Sequence, residues 1–210
     1  MMSRIGRMCA LAAAVLAASA ADGAVKTFKE GYIDRSLIDT AGEPQAQTGK
    51  FWGYRSSKDG PGEDAFAKLM EKAKKEHIPV VFVWSNQDCI FCSRFVARLN
   101  EAKDEVSAKL KETPAIFAWF KGRGGKIHPL EEHGPKPCKD AYDFACAHGA
   151  KAPWPFAVHY YCASDGEETV RTFSLDRILP ERFLAAAANF PRKCAKIEKK
   201  KRAAAAEKGK

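Results

Sequence analysis

Apolar side chains recur at intervals of three and four residues in several parts of the chain, which is the spacing of one face of an amphipathic helix. This pattern predicts four helical segments: residues 64–77, residues 89–112 with a kink near Asn100, residues 141–148, and a last helix over residues 180–190. Pro79 and the pair Thr113-Pro114 end the first two helices, because proline does not continue a helix.

Continuous apolar runs rich in β-branched and aromatic residues predict strands that are buried on both faces. Three runs have this character: residues 80–84, 115–120 and 156–162. Ser164-Asp165-Gly166 is a hairpin signal, so residues 168–173 should return antiparallel to the third strand. The spacing of the first two runs around a helix predicts a βαβ unit with a parallel pair. We therefore expect an α/β fold with a central mixed sheet of about four strands flanked by helices.

The other segments surround one compact domain over residues 63–194. Residues 21–62 carry many turn residues, which predicts a loop-rich N-terminal extension. Residues 121–140 are rich in Gly and Pro and predict an inserted loop before the third core helix. Residues 195–210 are dominated by Lys, Ala and Glu and predict a basic, disordered tail.

The formal net charge of +9 is carried by the two ends of the chain. Residues 195–210 hold seven Lys and Arg residues against two Glu, whereas residues 21–190 are neutral. A cationic end could contact an anionic membrane or nucleic acid by charge alone. Because no aromatic residues are interleaved with these charges, we favour a solvated tail and expect no nucleic-acid partner.

Residues 1–20 have the three parts of a secretory leader. A short basic segment is followed by an apolar run over residues 8–17 and by the small residues Ala18-Ser19-Ala20. A run of about ten residues is well below the roughly 20 that a membrane-spanning helix needs. We expect a cleaved signal peptide and export without stable membrane insertion; an uncleaved Ala-rich anchor is the alternative.

Six of the seven cysteines lie beyond this leader, which contains Cys9. An even number of cysteines in an exported protein favours disulfides over free thiols. Cys89 and Cys92 differ from the others because they are separated by two residues and open a predicted helix. The other four lie in turn-like or terminal contexts: Cys138, Cys146, Cys162 and Cys194.

The pair Cys89-Ile90-Phe91-Cys92 has the spacing that thiol–disulfide exchange requires. Unpaired N–H groups at a helix N-terminus stabilise a thiolate, so the first cysteine attacks and the second, one turn inward, resolves the mixed disulfide. A static structural disulfide or half of a metal site would look the same in sequence. Zinc would need a second, suitably spaced pair. Three histidines come into question for copper, but we interpret them as surface or satisfied residues: His128, His133 and His159.

These elements together resemble the thioredoxin superfamily, and its periplasmic thioredoxin-like and interchange-protein domains in particular, over about residues 63–190. The resemblance is carried by the two buried strands around Cys89-Ile90-Phe91-Cys92, by Trp154-Pro155-Phe156 and by the hairpin that follows. It implies a thioredoxin-like fold in which Pro155 is cis and packs against the cysteine pair, while Trp154 faces the substrate. The sequence departs from the family at Asp88, where Trp is usual, and at Val83, where many members bury an acid.

The resemblance implies an exported thiol–disulfide oxidoreductase with Cys89 as nucleophile and Cys92 as resolving cysteine. Its partners would be cysteine-containing protein substrates and a redox partner protein. No cofactor beyond the dithiol and no metal is implied, and we expect a monomer. The absence of a C-terminal retrieval signal favours a bacterial periplasm. The alternative is a non-catalytic thioredoxin-like module that binds a partner or a metal and keeps a structural Cys89–Cys92 disulfide.

The implied fold also bears on the other four cysteines. It brings Cys162 and Cys194 to the same pole of the domain, so we expect a disulfide between them. Cys138 and Cys146 would then close a local loop, worth about 2–3 kcal/mol by chain entropy. Four cysteines permit three connectivities. A redox relay through Cys146 is a further alternative.

Overall fold

The computed structural model describes seven parts of the chain: residues 33–39, 43–54, 65–86, 89–122, 136–151, 155–176 and 178–208. Of residues 54, 86, 121, 122, 136–139 and 208 it describes the backbone alone. The predicted signal peptide and residues 123–135 of the predicted insertion lie outside the described residues, as do Asp88, His128, His133 and Trp154.

The described strands form one six-stranded mixed sheet with the order β1-β2-β4-β3-β5-β6. The strands are β1 (Ile38–Asp39), β2 (Phe51–Tyr54), β3 (Val80–Asn86), β4 (Ile116–Gly122), β5 (Phe156–Cys162) and β6 (Glu168–Ser174). Strands β1 to β4 are mutually parallel where they pair, and β5 is antiparallel to both β3 and β6. The predicted parallel pair and the predicted hairpin are both confirmed.

Five described α-helices flank the sheet: α1 (Ala65–Glu76), α2 (Ile90–Glu101), α3 (Lys103–Glu112), α4 (Lys136–Ala147) and α5 (Pro180–Lys208). A short 3-10 turn, Arg35–Leu37, precedes β1. The kink predicted near Asn100 is a full break at Ala102, whose ψ of 24° separates α2 from α3. Helix α4 begins five residues before the predicted residue 141, within the segment expected to be an inserted loop.

The α/β class is confirmed, but the expected count of about four strands is wrong because β1 and β2 add to the edge of the sheet. Both come from the extension that the sequence predicts to be loop-rich. Their pairing is long-range: β2 lies beside β4, with Trp52 opposite Ala118. A side chain at Gly53 would collide with Ile38, so this glycine is needed where β1 approaches β2. Two- and four-residue strands surrounded by turn residues give no periodic signal of their own.

The core lies on both faces of the sheet, as continuous apolar strands require. Val81 and Val83 of β3 face a cluster formed with α2, α3 and α5. Val80, Phe82 and Trp84 face the opposite cluster, formed with α1 and α4. Helix α2 is thereby fixed against the sheet through buried Phe95, Val96 and Leu99. The end of β3 that precedes α2 is therefore packed against helices on both faces of the sheet.

Residues 195–208 form the last turns of α5, which differs from the predicted disordered tail. The helix continues because its end makes specific contacts with the β5–β6 hairpin. Glu198 accepts hydrogen bonds from the Tyr161 hydroxyl (3.1 Å) and from the Ser164 N–H (3.2 Å). Lys201 forms ion pairs with Asp165 and Glu167. Among the described helices, none is both long enough and apolar enough to cross a bilayer.

Candidate functional site

The two motif cysteines lie at the sheet edge where β3 and β4 end. Two residues separate the end of β3 at Asn86 from Cys89, and helix α2 begins at the next residue, Ile90. Cys89 has extended backbone angles (φ −92°, ψ 114°) and occupies the N-cap position of α2. A buried strand that ends three positions earlier in the chain thus places this cysteine at the first turn of the helix, as the sequence predicts.

The Cys89 sulfur caps the helix in the way that a Ser or Asp oxygen commonly does. Its Sγ accepts a hydrogen bond from the backbone N–H of Cys92, with an N–S distance of 3.2 Å. The carbonyl oxygen of Cys89 accepts the next one, from the N–H of Ser93 at 3.0 Å. The first turn of α2 therefore directs N–H groups that have no intrahelical partner towards one sulfur atom.

These contacts favour the ionised form of Cys89. Hydrogen bonding from the Cys92 side chain, helped by the backbone N–H groups of Cys92 and Phe91, lowers the pKa of Cys89 from 9.0 to about 7, against the opposing effect of burial. Cys89 is half-buried, whereas Cys92 is only 2% exposed. One thiol is therefore reachable and acidic, and the other lies behind it.

The surface next to Cys89 is apolar. Ile90 is 52% exposed, and it and Leu179 are the exposed large hydrophobic residues of the described part of the chain. Phe91 is half-buried, and the guanidinium carbon of Arg94 lies 6.0 Å from the centre of its ring. An apolar side chain of another molecule could pack against Ile90 here.

Pro155 lies at the start of β5, at the same edge of the sheet as Cys89. Trp84 near the end of β3 pairs with Phe156, and one residue further on each strand are Ser85 and Pro155. Pro155 is buried, and its carbonyl oxygen accepts a hydrogen bond from the N–H of Leu175 at 2.7 Å. The strand ends that carry the predicted nucleophile and the predicted proline are therefore neighbours.

Trp84 also belongs to this region, although its sequence context marks it only as a strand residue. Its ring stacks on that of Phe156, with the ring centres 5.3 Å apart, and the centre of the Tyr142 ring of α4 lies 4.9 Å away. Burial is the main cause that raises the pKa of Tyr142 to about 12, so the phenol stays protonated. Within the described part of the chain, the indole Nε1 of Trp84 is buried without a hydrogen-bond partner. The only signal available in sequence was an aromatic residue at the polar end of a buried strand.

The expected Cys162–Cys194 disulfide is wrong, because both residues are free thiols. Cys194 belongs to the core cluster under α5, whereas Cys162 belongs to the cluster on the opposite face of the sheet. Side chains alternate between faces along a strand, so Tyr161 points towards α5 and Cys162 points away. Being at the same pole of the domain does not bring the two sulfur atoms together.

The expected Cys138–Cys146 disulfide is also wrong, because Cys146 is a free thiol. Both residues lie in α4, eight positions apart, which is about 12 Å along a helix axis. A disulfide needs Cα atoms within roughly 7 Å. The sequence pattern predicts Cys138 in a loop before the helix, where such an approach is feasible.

His159 lies in the core, where its ring contacts Phe173 and Phe190. Burial, helped by the charges of Arg171 and Lys193, lowers the pKa of His159 to about 4, so the imidazole is neutral. The described residues contain no group of three or more His, Cys, Asp or Glu side chains arranged to hold a metal ion.

Neither a protein-family model nor a curated protein matches this sequence.

Proposed function

We propose that this protein is a thiol–disulfide oxidoreductase of thioredoxin-like fold, with Cys89 as the nucleophile. The observation that carries the proposal is the hydrogen bond from the Cys92 N–H to the Cys89 sulfur at the start of α2. A sulfur that caps a helix and remains half-exposed has the two properties that disulfide exchange needs, a stabilised thiolate and access for the partner.

The arrangement of the inner strands supports the fold assignment. The order β4-β3-β5-β6, with a parallel first pair and two antiparallel pairs after it, combines the predicted βαβ unit and hairpin in one sheet. Helices α1 and α4 cover one face and α2, α3 and α5 the other. Cys89 lies at the carboxyl end of β3, which is where ligands bind to α/β sheets in general.

The proposed reaction transfers two electrons from the Cys89–Cys92 dithiol to a substrate disulfide. The Cys89 thiolate attacks one sulfur of a substrate disulfide, which forms a mixed disulfide and releases the other substrate sulfur as a thiolate that takes up a proton. Cys92 then loses its proton and attacks the Cys89 sulfur, which releases the second substrate thiol. The products are a reduced substrate and a Cys89–Cys92 disulfide, which a dithiol reductant converts back.

The pKa of Cys89 makes the first step efficient near neutral pH. With a pKa of about 7, about half of the Cys89 side chains are ionised at pH 7, compared with about 1% for an ordinary thiol of pKa 9.0. Cys92 is buried, so it is protected from outside reagents until Cys89 has reacted. The order of the two steps follows from this difference in exposure.

We further propose that the substrates are cysteine-containing proteins in an exported compartment, consistent with the leader-like residues 1–20. Ile90 provides an exposed apolar contact next to the nucleophile, and Pro155 lies at the adjacent strand start. A peptide segment with an apolar residue beside its disulfide would fit this surface. Trp154 is the proposed substrate-facing residue, and a redox partner protein would restore the dithiol.

An insulin-reduction assay with dithiothreitol as the reductant tests the proposal. The parent protein should accelerate the reduction of insulin, and Cys89→Ser should abolish this acceleration. Cys146→Ser is a matched control that removes a half-buried thiol elsewhere, and it should accelerate the reduction as the parent does. Activity of Cys89→Ser equal to that of the parent would exclude the role. A redox titration separates the alternative: a potential between about −270 and −120 mV indicates an exchanger, and one below about −300 mV indicates a structural disulfide.

A further inference from the structure

The end of α5 is fixed to the domain by one side of the helix. Cys194 is 1% exposed and lies in the core. One turn later Glu198 accepts hydrogen bonds from the β5–β6 hairpin, and Lys201 pairs with Glu167 at 2.6 Å and with Asp165. These three residues lie within about 60° of arc on the helix, since successive residues are about 100° apart. They define the docked side of α5.

The opposite side carries a cluster of cations, which we call the cationic face. It consists of Arg192, Lys193, Lys196, Lys199 and Lys200, all exposed. At about 100° per residue these five fall within about 120° of arc, centred opposite the docked side. Within the described part of the chain none of them forms an ion pair. The docking contacts thus hold five unneutralised positive charges in a fixed array.

We propose that the cationic face of α5 binds the surface of an anionic phospholipid bilayer by charge alone. Clusters of four to eight Lys and Arg residues on one helix face have the chemistry that anionic headgroups recognise. On the same side the helix carries Asn189 before the charges and Ala203, Ala206 and one acid, Glu207, after them, so it has no large apolar group to insert. The attachment would therefore be peripheral and reversible, without insertion into the hydrocarbon.

Two observations favour a lipid surface over nucleic acid. The cationic face has no aromatic side chain on which bases could stack, although the exposed Asn189 lies on the same side of the helix one turn before Lys193. In addition, the leader-like residues 1–20 predict export to a compartment that is bounded by lipid. Charges confined to one side of a helix can face a planar layer of headgroups together.

The fold gives this attachment a defined orientation. Helix α5 begins at Pro180, close to the sheet edge that carries the site, because the N–H of Leu175 just before it bonds to Pro155. It runs to the opposite edge, where Glu198 contacts Ser164 after the end of β5. Residues 192–200 therefore lie about 20–30 Å along the helix from its start. A bilayer bound along this side of α5 lies parallel to the helix axis, so the Cys89 end is displaced along the membrane surface from the bound segment.

Sedimentation of the full chain with large vesicles tests the proposal. Vesicles of phosphatidylcholine containing about one third phosphatidylglycerol should bind the protein at low salt, and pure phosphatidylcholine vesicles should not. The triple variant Lys196→Ala, Lys199→Ala, Lys200→Ala should lower the partition coefficient about 100-fold, at about fivefold per charge. In about 1 M salt, where the Debye length is about 3 Å, binding of the parent should be lost.

A second triple variant, Lys75→Ala, Lys111→Ala, Lys151→Ala, removes the same charge from exposed positions elsewhere. If it weakens binding as much as the first, the effect is one of net charge and the proposal fails. It also fails if binding resists salt, or if duplex DNA binds more tightly than the vesicles and depends on the same three lysines. Both triple variants should retain insulin-reducing activity, so a failure of the proposed enzyme function is scored in a separate assay.

Discussion

The backbone N–H of Cys92 lies 3.2 Å from the sulfur of Cys89, so the two cysteines are joined across the first turn of α2 before any disulfide forms. The contact serves two purposes. It satisfies a helix N-terminal donor that has no intrahelical partner, and it stabilises negative charge on the outer sulfur. The inner residue of the pair thus controls the reactivity of the outer one, and this dependence can be measured.

Alkylation of the reduced protein should report the lowered pKa of Cys89. Because the thiolate is the reactive form, the rate of modification by iodoacetamide should rise with pH, reach half its maximum near pH 7 and then level off. Stopped-time labelling followed by mass spectrometry of the α2 peptide measures this rate. A rate still rising steeply at pH 9 would mean that the helix start does not stabilise the thiolate.

Replacing Cys92 should raise the pKa of Cys89, because hydrogen bonding from the Cys92 side chain is the largest cause of its lowering. The same labelling experiment on Cys92→Ala should give a midpoint shifted towards 9. The backbone N–H remains in this variant, so part of the lowering should persist. Cys146→Ser serves as the control and should leave the midpoint unchanged.

The Cys92→Ala variant should also trap substrate. Without a resolving thiol, Cys89 should form one stable mixed disulfide per protein molecule and then stop, because the second step has no nucleophile. Non-reducing mass spectrometry with a disulfide-containing peptide measures the adduct, which dithiothreitol should remove. Full turnover by this variant would assign the resolving role to another thiol.

His159 should make the folded protein sensitive to mild acid. Its pKa is lowered from 6.5 to about 4, so the unfolded chain binds a proton in that interval and the folded protein does not. Stability should therefore decrease as the pH falls from about 6.5 to about 4, by on the order of 3 kcal/mol from this group. Urea unfolding at several pH values measures the free energy of unfolding.

The variant His159→Leu should lose this part of the pH dependence, because the buried imidazole and its unpartnered Nε2 are removed. The exposed His148→Gln variant is the control and should decline with pH as the parent does. The informative quantity is the difference between parent and variant, since carboxylates such as Glu198, whose pKa is lowered to about 2, add their own acid sensitivity. Parallel curves for the parent and His159→Leu would contradict the prediction.

Phe82 should be among the most costly positions in the core. It is fully buried in the middle strand, and its ring contacts Phe66, Phe120 and Phe144. Phe82→Ala should lower the free energy of unfolding by about 3–5 kcal/mol, through lost transfer energy and the cavity that remains. Ile90→Ala, at a 52% exposed position, should change it by less than about 0.5 kcal/mol. Equal effects for the two variants would mean that β3 is not the centre of the fold.

Peptide mapping of the native protein should recover Cys162 and Cys194 as separate thiols. Both are buried, and burial raises the pKa of Cys194 to about 12, so neither should be alkylated before the protein unfolds. After unfolding in the absence of reductant, each should take one label. Recovery of a disulfide-linked Cys162–Cys194 peptide would mean that Cys162 lies on the face of the sheet that α5 covers, and not on the face where the structure places it.

Local patterns in the sequence predicted most of the inner fold. The run from Val80 to Trp84 predicts a buried strand because both of its faces are apolar. Cys89 follows where apolar residues begin to recur at helical spacing. The strand β5 was predicted with its observed bounds, Phe156–Cys162. The candidate nucleophile and the cysteine about one turn after it can therefore be predicted from spacing alone, since their geometry is contained within one helical turn.

Contacts between distant segments were not readable in this way. The pairing of β2 with β4 and the docking of Lys201 on the β5–β6 hairpin join residues far apart in sequence, and neither leaves a periodic signal. The same holds for the position of Trp84 between Phe156 and Tyr142. Predicting such contacts requires the relative placement of elements, which depends on how the whole core packs.

The amino-acid sequence by itself determined the four inner strands and most of the flanking helices and placed two cysteines at a helix start, because these properties depend on neighbours within a few residues. The tertiary structure alone decided which face of β5 each side chain occupies, and so separated Cys162 from Cys194. It also decided that the basic end of the chain is a docked helix with one cationic side, because that outcome depends on contacts that form only when the hairpin and α5 are brought together.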